Sequence, residues 1–207
     1  MGVVRDGDRV VLDGRDVSDW DSMREAYRER ISRYGMDHRA FFYTDEDLYR
    51  GRLERAGKVI GPLIGPQETV LDVGCGDGNL LPLLPPCVYT GIDMVPEFIE
   101  RARNRFPGRE FREGNIMDET MVHDWVLLVG TTGTTPCVER IMERCWGLCR
   151  KGMVMDILDA KRDPGVDRNS CHAGTTAEFF LERGAAQVRI EPTSAPWTFF
   201  VVYKELC

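Results

Sequence analysis

Residues 68–81 read ETVLDVGCGDGNLL, and this stretch decides the fold. A short apolar run, Val70 to Val73, leads into three alternate glycines and then a second apolar run, a pattern that predicts a strand, a tight turn and the start of a helix. Gly74, Gly76 and Gly78 tolerate positive φ and allow a ligand to approach the backbone closely. The predicted helix would direct free N–H groups at the same place. We therefore expect a nucleotide-type ligand at this turn, at the carboxyl end of the strand.

The spacing around this turn helps to separate the classes of nucleotide. A dinucleotide-binding turn, G-x-G-x-x-G/A, would place Gly or Ala where this chain has Asn79, which weakens the nicotinamide and flavin interpretations. The next predicted strand, Val88 to Ile92, leads directly to Asp93, 19 residues beyond Gly74. A carboxylate at the tip of the neighbouring strand can accept hydrogen bonds from both hydroxyls of an unphosphorylated ribose. Asp93 therefore predicts an adenosine-containing ligand.

Four segments follow one another at a spacing that is typical of a known family. They are VLDVGCGDG at 70–78, YTGIDM at 89–94, FREGNIMD at 111–118 and DWVLLVG at 124–130. Together they resemble the class I S-adenosylmethionine-dependent methyltransferases. Residues 27–52 and the segment PWTF at 196–199 also look like a group of small bacterial and archaeal methyltransferases without an assigned substrate. The resemblance implies an α/β fold with a Rossmann-like, mostly parallel seven-stranded sheet, flanked by helices, whose last strand is antiparallel.

The same resemblance implies S-adenosyl-L-methionine as the cofactor and assigns residues to it. The assigned residues are Asp72, Gly74, Cys75, Gly76, Gly78, Asp93, Met94, Asn115, Ile116 and Gly130. Asn115 departs from the aspartate that is common in the family, but its carbonyl can accept the same bond from the adenine amino group. Arg52 stands where the small bacterial and archaeal group has an arginine, and it could bind the methionine carboxylate in a bidentate manner. The alternative for Arg52 is a solvated arginine on a helix.

Alternating strands and helices independently predict a parallel sheet, with the last two strands, Val188 to Glu191 and Trp197 to Lys204, paired antiparallel. We expect residues 1–60 to form an N-terminal arm and helical cap within the same domain as a methyltransferase domain at 61–207. The sequence of the arm predicts a β-hairpin, and a loosely held segment is the alternative. Ser18 and Thr44 predict the starts of two helices. The first helix has an aromatic stripe of residues at helical spacing, namely Trp20, Met23, Tyr27, Ile31 and Tyr34. We expect this stripe to pack against the main domain, to roof the substrate pocket, or to do both.

Catalysis is harder to assign, because the methyl group of a sulfonium is already activated and orientation alone can contribute roughly 7 to 11 kcal/mol. If a general base is required, His172, in the long polar segment 159–175, is the first candidate. A surface or structural role is the alternative for His172. We predict no metal site, and we interpret Cys145 and Cys149, four residues apart on a predicted helix, as packing residues rather than metal ligands.

Composition limits the partners. The net charge of −7 disfavours nucleic acid and anionic membranes, and no apolar run is long enough to span a bilayer. Seven cysteines without a C-x-x-C motif are typical of reduced thiols, so we expect a cytoplasmic protein. The leading hypothesis is a methyltransferase that modifies a small molecule at oxygen, nitrogen or carbon. The alternatives are a protein or RNA methyltransferase, a non-catalytic module that binds S-adenosylmethionine, and, more distantly, a nicotinamide dehydrogenase. The oligomeric state is left open.

Overall fold

A computed structural model describes residues 3–6, 9–12, 15–160, 170–193 and 195–205. The N-terminal region begins with a three-stranded antiparallel sheet and continues into helices. Its elements are β1 (Val3–Asp6), β2 (Arg9–Leu12), β3 (Arg15–Asp16), α1 (Trp20–Tyr34), a 3-10 helix (His38–Phe41) and α2 (Glu46–Ile60). The pairing of Val3 with Leu12 confirms the predicted hairpin, whose turns lie partly outside the described residues.

Both N-terminal helices begin one residue later than the sequence pattern predicts. The N-cap of α1 is Asp19, whose carboxylate accepts the N–H of Ser22 at 2.9 Å, and Asp45 caps α2 in the same way. The predicted caps, Ser18 and Thr44, lie just outside. A carboxylate accepts a stronger, charge-assisted bond and also interacts with the positive end of the helix dipole, so each aspartate displaces the hydroxyl residue beside it.

The rest of the chain forms a seven-stranded sheet with helices on both faces. The strands are β4 (Thr69–Val73), β5 (Val88–Asp93), β6 (Glu110–Glu113), β7 (His123–Leu128), β8 (Cys149–Asp159), β10 (Gln187–Pro192) and β11 (Trp197–Tyr203), and a two-residue strand, β9 (Ser170–Cys171), pairs with β8. Their order is β10-β11-β8-β7-β4-β5-β6, and β11 pairs antiparallel with both β10 and β8, whereas the other pairs are parallel. The helices are α3 (Pro96–Arg105), α4 (Val138–Gly147) and α5 (Ala173–Leu181). The predicted mostly parallel α/β sheet is confirmed.

The central strands are apolar on both faces because helices cover both sides of the sheet. Alternate residues of β4 enter different cores: Leu71 packs in a cluster with residues of α4 and α5, whereas Val70 packs with residues of α2 and α3. Cys145 is fully buried in the first cluster, and Cys149 lies beside it with its Sγ directed at the carbonyl of Trp146. Both cysteines therefore pack in the core.

The predicted helix after the glycine turn is wrong. No α-helix follows Gly78; the chain makes a short 3-10 helix, Leu81–Leu83, before it enters β5. Pro82 lies inside this helix, and Pro85 and Pro86 follow it, so three residues that lack an N–H interrupt any longer helical ladder. The N–H groups of a helix start are consequently not the device by which this turn could hold a ligand.

Candidate active site

A cavity opens at the carboxyl ends of β4, β5 and β7, below the N-terminal helices. It measures about 1050 Å³ including its open mouth. The sheet contributes the polar floor and α1, α2 and the 3-10 helix contribute an aromatic roof. Of the predicted cofactor residues, all except Gly78 line it.

The glycines of the turn are required by the protein's own packing. Gly74 and Gly76 have φ of 69° and 54°, which side-chain-bearing residues rarely adopt. A Cβ at Gly74 would overlap the hydroxyl of Thr131, and a Cβ at Gly76 would lie 2.7 Å from Cε1 of Phe41. Sequence reasoning attributed these glycines to ligand approach; in the structure, side chains from the loop after β7 and from the 3-10 helix pack against them. Gly78 faces Phe106 instead of the cavity.

Asp93 is the central polar group of the floor. Its Oδ2 accepts the N–H of Gly76 and its Oδ1 accepts the N–H of Val95, both at 2.9 Å. Burial raises the pKa of Asp93 to about 6, although these N–H bonds oppose the shift. An ionised carboxylate offers about four acceptor positions, so these two bonds do not exhaust its capacity. The side chain is thus fixed in position and can still accept hydrogen bonds from a diol in the cavity.

A second carboxylate, Asp72, is the penultimate residue of β4 and is also buried. The hydroxyl of Tyr89 donates to its Oδ2 at 2.7 Å. Burial raises the pKa of Asp72 to about 7, despite this bond. Cys75 beside it has a thiol whose pKa is raised well above its usual value, again by burial, so it remains a neutral thiol. Two buried acids in one cavity favour a ligand that brings hydrogen-bond donors or positive charge.

Met94, Asn115 and Ile116 line one end of the cavity, next to Asp93. Asn115 caps a 3-10 helix (Ile116–Asp118): its Oδ1 accepts the N–H of Met117 at 3.0 Å. The carbonyl oxygen therefore has one lone pair left for a ligand, as the predicted bond to an adenine amino group requires.

Arg52 lies buried at the other end, which excludes the solvated alternative. Its guanidinium donates to both carboxylate oxygens of Asp156, through Nε and through Nη2 at 2.8 Å, and Nη1 donates to the hydroxyl of Tyr43. Burial alone would lower the pKa of Arg52, but the charge of Asp156, the interaction with Tyr43 and the hydrogen bonds to both residues together outweigh it, so the net shift of the pKa is upward. Asp156 also accepts the N–H of Gly130 at 3.0 Å. The ion pair therefore ties α2 to β8 and to the tip of β7.

The roof is built from aromatic side chains. The ring of Phe41 stacks between Tyr49 and Phe98, with centroid distances of 5.5 Å and 4.6 Å. Tyr27 of α1 reaches across the cavity, and its hydroxyl lies 3.1 Å from Oγ1 of Thr134 in the loop after β7. The aromatic stripe therefore does both things that were considered: it packs on the main domain and it lines the cavity.

The histidines do not contribute to this site. His172 is exposed at the N-terminus of α5 and is not among the described residues that line the cavity. His123 is buried at the start of β7, at the opposite end of that strand from the cavity. Residues 161–169, within the predicted pocket wall, lie outside the described residues. In the described ranges, no group of three or more His, Cys, Asp or Glu side chains could hold a metal ion.

Comparison with known proteins now adds to this geometry. Residues 64–161 match a family model described as "Methyltransferase domain". This segment of the chain is therefore similar to methyltransferase domains. The match covers β4 to β8, the strands whose carboxyl ends surround the cavity, and it confirms the predicted resemblance.

Two curated methyltransferases share a shorter segment with the chain. A trans-aconitate 2-methyltransferase of Rhodopseudomonas palustris (strain BisA53) is 41% identical over 66 residues, which is 30% of this chain and 23% of that protein. The same enzyme of strain BisB18 is 39% identical over 74 residues, or 34% of this chain and 26% of that protein. The similarity therefore spans about a quarter of the length of these relatives.

Solved methyltransferase structures share the whole fold at low identity. The magnesium protoporphyrin IX methyltransferase of Synechocystis PCC 6803, with bound S-adenosylmethionine, superposes with a TM-score of 0.69 at 13% identity, over 88% of this chain and 97% of that chain. The N-methyltransferase NodS of Bradyrhizobium japonicum WM9, in complex with S-adenosyl-L-homocysteine, gives a TM-score of 0.63 at 17% identity, over 87% and 97%. At this identity the likeness establishes the methyltransferase fold alone.

Sequence reasoning missed the partner of Arg52. Asp156 is a single carboxylate inside the apolar run 153–158 of a central strand. A charged residue in such a run is almost never fully buried unless it is paired, and this was the available signal. The identity of the partner was not available, because Arg52 lies 104 residues away in the chain.

Proposed function

We propose that the protein is an S-adenosylmethionine-dependent methyltransferase that acts on a small molecule. The observation that carries this proposal is Asp93: a buried carboxylate at the tip of β5, held by two backbone N–H groups, which lines the cavity. When bound, S-adenosylmethionine supplies an activated methyl group. The chain itself has to bind, orient and shield the reactants, and this matches a cavity built from fixed polar groups and apolar walls.

We assign the lining residues to different parts of the cofactor. Asp93 would accept the ribose hydroxyls, with Met94 and Ile116 beside the adenine and Asn115 accepting from its amino group. The glycine turn and Cys75 would follow the sugar and the amino acid portion. Arg52 uses three of its five N–H groups on Asp156 and Tyr43, so two remain for the methionine carboxylate. Gly130, at the tip of β7, would lie near the methyl group.

A small acceptor is favoured over the alternatives. A protein or RNA substrate would require a basic groove or a flat apolar patch near the glycine turn. The described residues that line the cavity include one cation, Arg52, which is paired with Asp156. A non-catalytic module would have its cavity closed beyond Gly130, and this cavity continues to Tyr27 and Thr134. The trans-aconitate and magnesium protoporphyrin IX methyltransferases are named for small acceptors, in keeping with this proposal.

The cellular setting remains a prediction. None of the helices within the described ranges has the length and apolar character that crossing a membrane requires. The six cysteines in those ranges are free thiols, in keeping with the cytoplasmic location expected from the sequence. The division into a cap, 1–60, and a methyltransferase domain, 61–207, is likewise retained as a proposal.

Substitution of Asp93 tests the proposed function directly. Asp93→Asn keeps the size of the side chain but removes one acceptor oxygen and the charge, so affinity for S-adenosylhomocysteine in calorimetry should fall at least about tenfold, the loss of a charge-assisted bond. Asp118→Asn is the matched control, because Asp118 is exposed and outside the cavity lining. Equal affinities for the wild type and Asp93→Asn would remove the ribose assignment.

A further inference from the structure

Asn79 connects the roof of the cavity to the glycine turn. Its amide nitrogen donates to the hydroxyl of Tyr49 on α2 at 2.7 Å, and it also donates to the carboxylate of Asp77 in the turn. Its amide oxygen accepts from Nη1 of Arg105 on α3 at 2.7 Å. Asn79 and Tyr49 both line the cavity. One side chain therefore joins a residue of the cavity wall to the turn and to α3.

The neighbours of Asn79 fix the orientation of its amide. Asp77 is almost completely buried, and its carboxylate forms ion pairs with Arg101 at 3.0 Å and with Arg105 at 2.7 Å. A carboxylate only accepts hydrogen bonds and a guanidinium only donates them. The amide nitrogen of Asn79 must therefore face Asp77, and the amide oxygen must face Arg105. In this orientation the nitrogen also faces Tyr49, so the bond between them runs from Asn79 to the Tyr49 oxygen.

The hydroxyl of Tyr49 consequently keeps its own proton for another partner. A tyrosine hydroxyl has one proton to donate, and among the described residues no atom accepts the proton of Tyr49. Burial raises the pKa of Tyr49, so this proton stays in place at neutral pH. The ring is held by stacking on Phe41, with centroids 5.5 Å apart and an interplanar angle of 10°. Tyr49 is thus an oriented hydrogen-bond donor in the wall of the cavity.

The side chains beside Tyr49 indicate which ligand group would meet it. Arg52 follows Tyr49 by three positions in α2, so the two residues share a face of that helix. Tyr43 contacts both: its ring centroid is 4.9 Å from that of Tyr49, and its hydroxyl accepts from Arg52. A phenol donor and a guanidinium on one helix face favour a negatively charged group with more than one acceptor atom.

We propose that Asn79 is a positioning residue, which orients the Tyr49 hydroxyl to donate to the carboxylate of the methionine portion of the cofactor. The inference rests on the proposed function and adds two residues to its cofactor site. The carboxylate is the one anionic group of S-adenosylmethionine, and it is therefore the part of the cofactor that suits these donors. Tyr49 shares it with the two N–H groups that Arg52 does not use on Asp156 and Tyr43.

Two ligands that differ only in this carboxylate test the inference. Calorimetry compares S-adenosylmethionine with decarboxylated S-adenosylmethionine, for the wild type and for Tyr49→Phe, which keeps the ring that stacks on Phe41. Tyr49→Phe should weaken binding of S-adenosylmethionine at least about tenfold, the usual loss of a hydrogen bond to a charged group, and should change binding of the decarboxylated compound by less than about twofold. Equal losses for the two ligands, or no loss for either, overturn the inference. Absence of S-adenosylmethionine binding by the wild type would instead contradict the proposed function.

Asn79→Ala tests whether Asn79 acts through Tyr49. Without the amide, the Tyr49 hydroxyl is free to turn away from the ligand, so this variant should also lose affinity for S-adenosylmethionine and not for the decarboxylated compound. Combined with Tyr49→Phe it should add little further loss, because two residues that act as a unit are not additive. Losses that add in the double variant would contradict the positioning role. Tyr34→Phe is the control and should leave both affinities unchanged, since Tyr34 lies on α1 and is not among the described residues that line the cavity.

Discussion

Removal of the Asp156 carboxylate is the sharpest structural perturbation that this molecule offers. The side chain is completely buried and accepts bonds from Arg52 Nε, Arg52 Nη2 and the N–H of Gly130. In Asp156→Ala the guanidinium of Arg52 stays buried without a counter-charge. Breaking a buried pair in this way costs about 3 to 5 kcal/mol. We therefore expect the free energy of unfolding to fall by that amount, a large share of the stability of a typical domain.

The assay is urea unfolding followed by circular dichroism, with the slope of the transition checked for constancy. Glu46→Ala is the control, because it breaks the exposed pair between Glu46 and Arg50 on the same helix and should cost no more than about 0.5 kcal/mol. The double variant Arg52→Met/Asp156→Leu replaces the pair by apolar side chains and should recover much of the loss. A cost below about 1 kcal/mol for Asp156→Ala would refute the buried ion pair.

Three further predictions concern pH and backbone geometry. Because burial raises the pKa of Asp93 to about 6, the ionised form that accepts ribose hydroxyls is lost as pH falls through that value, and calorimetry should show weaker S-adenosylhomocysteine binding at pH 5 than at pH 8. Gly74→Ala should destabilise the fold by about 1 to 3 kcal/mol, because Gly74 has a positive φ and its new Cβ would overlap Thr131. Gly51→Ala should instead stabilise the fold by about 0.5 to 1 kcal/mol, because Gly51 lies inside α2 with open space around it. Equal urea midpoints for the two variants would contradict this prediction. The pKa of His123 is lowered from 6.5 by burial, so its contribution to stability is full above pH 6.5 and declines as pH falls; His123→Phe should flatten that decline in unfolding titrations.

The parts that sequence reasoning predicted are those set by local pattern. Buried strands with turn residues after them, together with Asp93 at the tip of the second, indicate the sheet and its ligand edge without any tertiary information. The residues that were predicted to bind the cofactor line the cavity because the carboxyl ends of parallel strands meet at one edge of the sheet. Gly78 is the exception, because it faces Phe106 and not the cavity.

The features that sequence reasoning missed depend on competition between adjacent residues or on contacts between residues far apart in the chain. Asp19 and Ser18 are both good caps, and pattern alone does not reveal which of two adjacent residues closes the helix. The pairing of Arg52 with Asp156 and of Tyr27 with Thr134 joins residues more than 100 positions apart, and only the folded sheet brings them together.

Calorimetric titration of the purified protein with S-adenosylmethionine, S-adenosylhomocysteine and NAD tests the central claim most directly. Both sulfur ligands should bind with micromolar affinity, because Asp93 and the cavity around it are already in place, and NAD should not bind because Asn79 stands where a dinucleotide turn needs Gly or Ala. Binding of NAD, or absence of binding by both sulfur ligands, would contradict the assignment of this cavity to S-adenosylmethionine.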